Sequence, residues 1–470
     1  MKITIQNLGP IRAAEIPLSR LLVFVGFNNT GKSFAAASIH ALLSRFARDD
    51  SFVQYGRTSL RLNELDPEMT EAANSLMGSK SRVKFDTLQP DLQRFFADHL
   101  NESLTRYAWS LIPEIERVTA TEATELRRRR LGKAPRSAFR LDFDRPQWGI
   151  RIGLGAHRNS MQIRHPEIES VWNELSASRW RQIQLRTRRF QGASRRGQFH
   201  LREILRELNF ACFQEMPAAT SYLPAARSGL MQSQKALSGA IIRQSSLAGI
   251  RAMNIPALSG VVAEFLGNLT ELEIEPRGDF EHQAERLESE LLDGEIVLQE
   301  ARNSLEVYYK TPVGAYPLSR TSSMISEIAP IVLYLRNIVQ TDEMLIIEEP
   351  EAHLHPSAQI VLARILVELV NSGLIVALTT HSEYFLQQLS NSMLAAAMPD
   401  DTASIAGYLD VEQLDTYAVS AYRFEPSADG TVVEQIPTDR SGIPNASFER
   451  VAERLYDEMV VFERRLSNGS

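Results

Sequence analysis

Apolar positions along the chain follow two periods. Short unbroken runs, Leu21–Val25, Met344–Ile347 and the stretch "GLIVALTTHS" from Gly373 to Ser382, end in polar residues and predict buried strands. Helical spacing predicts a helix through Ala35, Ile39, Leu42, Leu43 and Phe46, and another through Ile325, Ile328, Ile331, Val332 and Leu335. After His381 the pattern reads as a helix, then a hairpin turning at Asp429-Gly430, then the amphipathic helix "SFERVAERLYDEMVVFERRL". Residues 51–220 are rich in helical pattern, but no heptad persists long enough for a coiled-coil arm.

The polar residues between these runs carry the chemistry. Gly26-Phe27-Asn28-Asn29-Thr30-Gly31-Lys32-Ser33 sits between a strand and a helix, in the form G-x-x-x-x-G-K-S. Such glycines let backbone N–H groups turn inward around an anion, and the helix N-terminus adds positive potential. Lys32 then reaches the β and γ phosphates, and the Ser33 hydroxyl is placed to ligate Mg²⁺. A second strand ends in Glu348 and Glu349. Two adjacent carboxylates repel and lose water there, a cost that makes sense if one supports Mg²⁺ and the other polarises an attacking water.

Spacing narrows the class. Lys32 and Glu348 are 316 residues apart, so a long excursion splits the nucleotide fold. His381 follows Glu349 by 32 residues, and Ser322 and Ser323 head the helix before the acids. Serines there read as N-caps when taken alone. As a set, "LGPI", "LLVFVGFNNTGKS", "LIIEEPEAHLHP" and "LTTHS" resemble the ABC-type ATPase heads, in the overcoming-lysogenization-defect (OLD) branch and its stand-alone relatives, close to the SMC and RecF heads. The likeness covers residues 1–50 and about 222–400.

The resemblance implies an α/β P-loop NTPase of ABC-ATPase head type, a mixed sheet flanked by helices, with a mainly helical insertion. It implies that Gly26, Asn28, Asn29, Thr30, Gly31, Lys32 and Ser33 hold ATP and that Ser33 and Glu348 support Mg²⁺. Glu349 would activate water, His381 would sense the γ phosphate, and Ser322 or Ser323 would reach the nucleotide of another subunit. The usual L-S-G-G-Q is absent from "RTSSMISE", which leaves the register of that serine open by one residue. In such a family two heads enclose ATP, giving a homodimer or larger homo-oligomer in which nucleotide works as a switch.

Composition and charge add the rest. The single cysteine, Cys212, excludes an internal disulfide and a cysteine-based zinc site. The N-terminus "MKITIQNLGPI" lacks a signal-peptide core, and no apolar run reaches the roughly 18 to 20 residues of a membrane span, so a cytoplasmic protein is expected. The net charge of -7 hides a basic region: Arg127 to Arg206 holds 20 Lys+Arg against 6 Asp+Glu. Those arginines, with Trp180, Phe190 and Phe199 between them, suit a DNA or RNA backbone with some stacking, against a protein partner or simple solvation of an arm whose arginines pair with acidic surfaces of its own head or a partner.

His353, His355 and His381 imitate a metal triad, against the plainer reading of hydrogen-bonded loop histidines. Arg227 suits a phosphate, a partner head or a salt bridge. The expected organisation is a split head of residues 1–50 and 222–403, an insertion of 51–221, and 404–470 completing the head. No nuclease activity of its own is expected. By analogy with stand-alone relatives, the chain would regulate a separate nuclease or toxin effector in antiphage defence; the alternative is a RecF- or SMC-like DNA-binding ATPase of repair or loading.

Overall fold

The structure, a computed structural model, describes residues 1–48, 67–78, 83–119, 137–154, 159–187, 193–233, 258–275, 277–301, 304–398, 400–444 and 446–467. In chain order its elements begin with strands β1 (Lys2–Leu8), β2 (Ile11–Pro17) and β3 (Leu21–Gly26), then helices α1 (Lys32–Arg48), α2 (Pro67–Gly78) and α3 (Pro90–Thr119). Strands β4 (Ser137–Phe143), β5 (Trp148–Leu154) and β6 (Ser160–Arg164) follow, then α4 (Ile168–Asn173), α5 (Ala177–Thr187), α6 (Ala193–Cys212) and β7 (Thr220–Leu223). Helices α7 (Gly260–Thr270) and α8 (Glu281–Leu287) precede β8 (Glu295–Ala301), β9 (Ser304–Thr311) and β10 (Gly314–Pro317). Next come α9 (Ser323–Asn337), β11 (Met344–Glu348), α10 (Pro356–Asn371), β12 (Ile375–Thr380) and α11 (Glu383–Ala397). The last elements are α12 (Asp400–Ile405), β13 (Val419–Ser427), β14 (Gly430–Ile436) and α13 (Ala446–Ser467).

The chain divides into two compact units, Met1–Leu18 with Ala37–Thr220 and Ser19–Ala36 with Ser221–Ser470. In the first, strands run in the order β6-β5-β4-β1-β2, antiparallel where β1 meets β2 and β4, and where β5 meets β4 and β6. One face is apolar: Phe139, Leu141 and Phe143 are buried, while Arg140 between them is exposed. Phe143 stacks on Trp148 at 4.3 Å, and the Trp148 indole donates to the Cys212 carbonyl at 2.8 Å, which satisfies a polar group inside the core. Helix α3 adds a buried stripe through Phe96, Leu100, Leu104, Tyr107 and Leu111. The helical pattern of residues 51–220 does not announce β4, β5 and β6.

The stacking role suggested for Trp180 is corrected here. Its ring is 2% exposed and meets Trp172 at 5.8 Å, so it is core. Phe199 is half-buried, while Phe190 and Arg127–Arg130 lie outside the described residues. Several basic residues pair within the unit: Arg186 reaches Glu203 at 3.3 Å and Glu207 at 3.2 Å, and Arg206 reaches the same acids at 3.2 and 3.1 Å.

In the second unit the strand order is β14-β13-β3-β12-β11-β7. Strands β13, β3, β12 and β11 are mutually parallel, and β13 and β14 form the hairpin that turns at Asp429-Gly430. Val23, Val25, Leu345, Ile347 and Leu378 pack with Ile328 and Val332 of α9, Leu366 of α10 and Phe385 of α11. Each large apolar side chain buried in this way contributes roughly 1.5–3 kcal/mol. The register sets Thr380 beside Val25 and Thr379 beside Glu348, so the carboxyl ends of β3, β12 and β11 lie side by side. A separate antiparallel sheet has the order β10-β9-β8. No helix among the described residues is long and apolar enough to cross a membrane.

Candidate functional site

The site grows from the end of β3. Gly26 has φ +145, and a Cβ there would come 2.5 Å from the Phe424 carbonyl, so the close approach to β13 requires glycine. Asn29 at φ 60 and Gly31 at φ 93 turn the following backbone left-handed, the conformation that points successive N–H groups into one concavity. The Thr30 hydroxyl braces the loop by donating to the Phe27 carbonyl at 2.7 Å. Asn28, Asn29 and Ser33 are exposed.

Lys32 opens α1 with its ammonium donating to the carbonyls of Gly26 at 3.0 Å and Phe27 at 2.8 Å. Burial lowers its pKa to about 8, against the opposing pull of Glu349, Glu351 and Glu348. The lysine therefore feels the charge of Glu348, at the end of β11, and of Glu349 and Glu351 just after it.

Glu348, the last residue of β11, is buried and accepts the Tyr222 hydroxyl. Burial, then the charge of Glu348, holds that phenol well above its ordinary range, so Tyr222 stays a donor. Glu349 adopts the left-handed conformation at φ 44 and sends its amide to the Thr379 carbonyl at 3.0 Å and hydroxyl at 3.1 Å. Its side chain is 42% exposed, with Oε1 3.8 Å from His381 Nε2. Burial, reinforced by Lys32 and opposed by Glu349, lowers the histidine's pKa, which leaves it neutral at pH 7.

Glu351 is a third acid that sequence reasoning passed over. It is buried and takes the Thr380 hydroxyl and the His381 amide, each at 2.7 Å, thereby fixing the backbone of the histidine. Burial raises its carboxyl pKa, and Oε2 finds no hydrogen-bond partner among the described residues. A third carboxylate in E-E-P-E was its only signal; Tyr222, inside the apolar run "TSYL", had none.

Other residues resolve more simply. Ser322 caps α9, its hydroxyl accepting from the Ile325 amide at 3.4 Å; Ser323 begins the helix, both serines are exposed, and neither hydrogen-bonds to the phosphate loop. His355 caps α10 and His353 lies in a left-handed turn, and no group of three His, Cys, Asp or Glu among the described residues could hold a metal. Of His353, His355 and His381, which imitate a metal triad in the sequence, His355 is engaged by Ser357 at the start of α10, in keeping with the plainer reading of hydrogen-bonded loop histidines. Arg227 is fully buried against Glu327, 3.1 Å from its carboxylate, which removes it from contact with phosphate.

Residues 273–386 match the family model of the AAA ATPase domain. No curated protein matches the chain. Among solved structures it is similar to an SMC head bound to the C-winged helix domain of ScpA, at 10% identity and TM-score 0.41 over 94% of this chain and 98% of that one. It is similar also to the SMC head domain from Thermotoga maritima, at 11% identity and TM-score 0.36 over 93% and 98%. A third is the Smc head domain with an extended coiled coil bound to the C-terminal domain of ScpA, from Pyrococcus furiosus, at 10% identity and TM-score 0.36 over 97% and 98%. The strand, glycine loop and helix around Lys32, beside the parallel strands β12 and β11, make the fold α/β of the P-loop NTPase type.

Proposed function

We propose that this chain is an ABC-type ATPase head that binds ATP with Mg²⁺, hydrolyses it, and uses the nucleotide as a switch. The observation carrying the reading is that Lys32, Glu348, Glu349 and His381, drawn from segments more than three hundred positions apart, meet at the adjoining ends of parallel strands, with Glu349 3.8 Å from His381. In this reading the backbone from Gly26 to Ser33 wraps the phosphates and Lys32 supplies positive charge to the β and γ groups. Glu349 orients the attacking water and takes its proton, while neutral His381 lies beside it to hydrogen-bond the γ phosphate.

The donor set fits Mg²⁺, which prefers a few protein oxygens and leaves its remaining positions to phosphate and water. A buried carboxylate, Glu348, and an exposed helix-start hydroxyl, Ser33, would hold it. When bound, the ion neutralises charge developing on the phosphoryl oxygens. Ser322 or Ser323, exposed at the head of α9, would reach the nucleotide of a second copy, giving a homo-oligomer with ATP between heads.

At its finest the reading makes the chain a regulator of a separate nuclease or toxin effector in antiphage defence, an extension from the motif resemblance alone. The basic balance of Arg127 to Arg206 favours a second reading, a DNA-binding ATPase of SMC or RecF type. Turnover measured with and without duplex DNA, in the wild type and with Arg127–Arg130 changed to Glu, separates the two. Stimulation lost with the arginines supports the DNA reading; unaltered turnover and a co-purifying effector support the first. The shared core is tested by Lys32→Ala, which should abolish ATP binding and turnover together; retained affinity contradicts it.

A further inference from the structure

Arg227 opens the helical stretch 227–233 that follows β7, and its guanidinium reaches acceptors on three segments of the chain. Its Nε pairs with Glu327 of α9 at 3.1 Å and also donates to the Glu327 carbonyl at 3.3 Å. Nη1 donates to the Pro224 carbonyl at 3.2 Å and to the Glu348 carbonyl at 2.5 Å, and Nη2 donates to the Glu349 carbonyl at 3.1 Å. Glu327 uses its other oxygen to accept the Ser228 amide at 3.1 Å. Both side chains are 0–1% exposed. A lysine has one compact charge and cannot span these acceptors; only the planar fork can.

The backbone so held is the one that needs holding. Glu349 is a non-glycine residue at φ 44, a conformation that persists only when its surroundings fix it. Thr379 ties its amide from one side and Arg227 ties its carbonyl from the other. Release of the Glu348 and Glu349 carbonyls would let the Glu348-Glu349 and Glu349-Pro350 peptides rotate and carry the Glu349 carboxylate away from His381.

We infer that Arg227, with Glu327 as its counter-ion, is a positioning residue for ATP hydrolysis: it clamps the main chain of Glu348 and Glu349, and through Glu327 it ties the helix headed by Ser322 and Ser323 to that catalytic turn. This rests on the ATPase reading. Because Glu327 lies on α9, a displacement at the head of that helix is transmitted to the Glu349 carbonyl through one ion pair.

The test compares the wild type with Arg227→Lys and with the neutral pair Arg227→Met plus Glu327→Gln, which removes both charges and so leaves no lone buried ion to unfold the protein. Turnover per bound nucleotide is measured alongside KM and the affinity for a fluorescent ATP analogue. Both variants should bind the analogue within roughly threefold of the wild type, while kcat falls about 10- to 100-fold, the effect of misplacing a catalytic group by about 1 Å. A role in stability alone would lower the yield of folded protein and leave kcat per bound nucleotide unchanged, and that result overturns the inference. A wild type that binds ATP without turning it over overturns the ATPase reading itself.

Discussion

The Glu349 amide donates to both the carbonyl and the hydroxyl of Thr379, at 3.0 and 3.1 Å, a bond between neighbouring parallel strands at the point where one of them turns into the carboxylate proposed as the general base. The hydroxyl is therefore a brace on the left-handed conformation of Glu349. Thr379→Val keeps strand propensity and shape but leaves only the carbonyl. It should cost about 1 kcal/mol in thermal unfolding and lower turnover more than ATP affinity. Equal turnover in the two proteins would show that the carbonyl suffices.

Glu351 offers a contrast between charge and hydrogen bonding. Burial raises its carboxyl pKa above the ordinary 4.5. A carboxyl shifted in this direction adds stability below its unfolded pKa, and that stability is lost as pH rises through the folded one. At neutral pH its ionised form is thus a cost that Gln avoids, while Gln still accepts from Thr380 and His381. Glu351→Gln should unfold at the same or a higher temperature than the wild type at pH 7, with the gap closing in acid. Glu351→Ala, which orphans both donors, should lose about 1–3 kcal/mol.

Lys32 predicts a pH limit on substrate capture. Its free-state pKa is lowered to about 8, so the charge meeting phosphate disappears as pH rises through that value. Since kcat/KM reports groups of the free enzyme, it should fall on the alkaline side with an apparent pKa near 8. A profile flat up to the ordinary lysine value of 10.5 would contradict the burial assigned to this ammonium.

Gly26→Ala tests the contact between the phosphate loop and β13. The added methyl would lie 2.5 Å from a backbone carbonyl, at a φ of +145 that L residues rarely adopt. A loss of at least about 3 kcal/mol is expected, since neither backbone can yield cheaply. Normal yield and melting of this variant would mean that the strand spacing relaxes freely.

The parts of this fold legible in the sequence are those whose signal is local. The strand-loop-helix around Lys32, the apolar run into Glu348 and Glu349, and the turn at Asp429-Gly430 each need fewer than about twenty neighbouring residues to be read. Strands β4 to β6 escaped because β4 pairs with β1, from the start of the chain, and their short alternations sit among arginines. Trp180 misled for a related reason: aromatic residues between arginines look like a stacking surface until the partner, Trp172, is known. Tyr222, Glu351 and the burial of Arg227 were invisible because each is defined by a partner that the fold supplies, not the sequence neighbourhood: Glu348 for the tyrosine, Thr380 for the acid, Glu327 for the arginine.

The most direct measurement is steady-state ATP hydrolysis with Mg²⁺ by the wild type and by Glu349→Gln, paired with ATP binding to each. The carboxylate beside His381 is the proposed proton acceptor, so the amide should bind ATP as tightly as the wild type while turnover drops by at least about 100-fold. Turnover that survives the substitution undiminished would contradict the role given to Glu349 and, with it, the site built around Lys32.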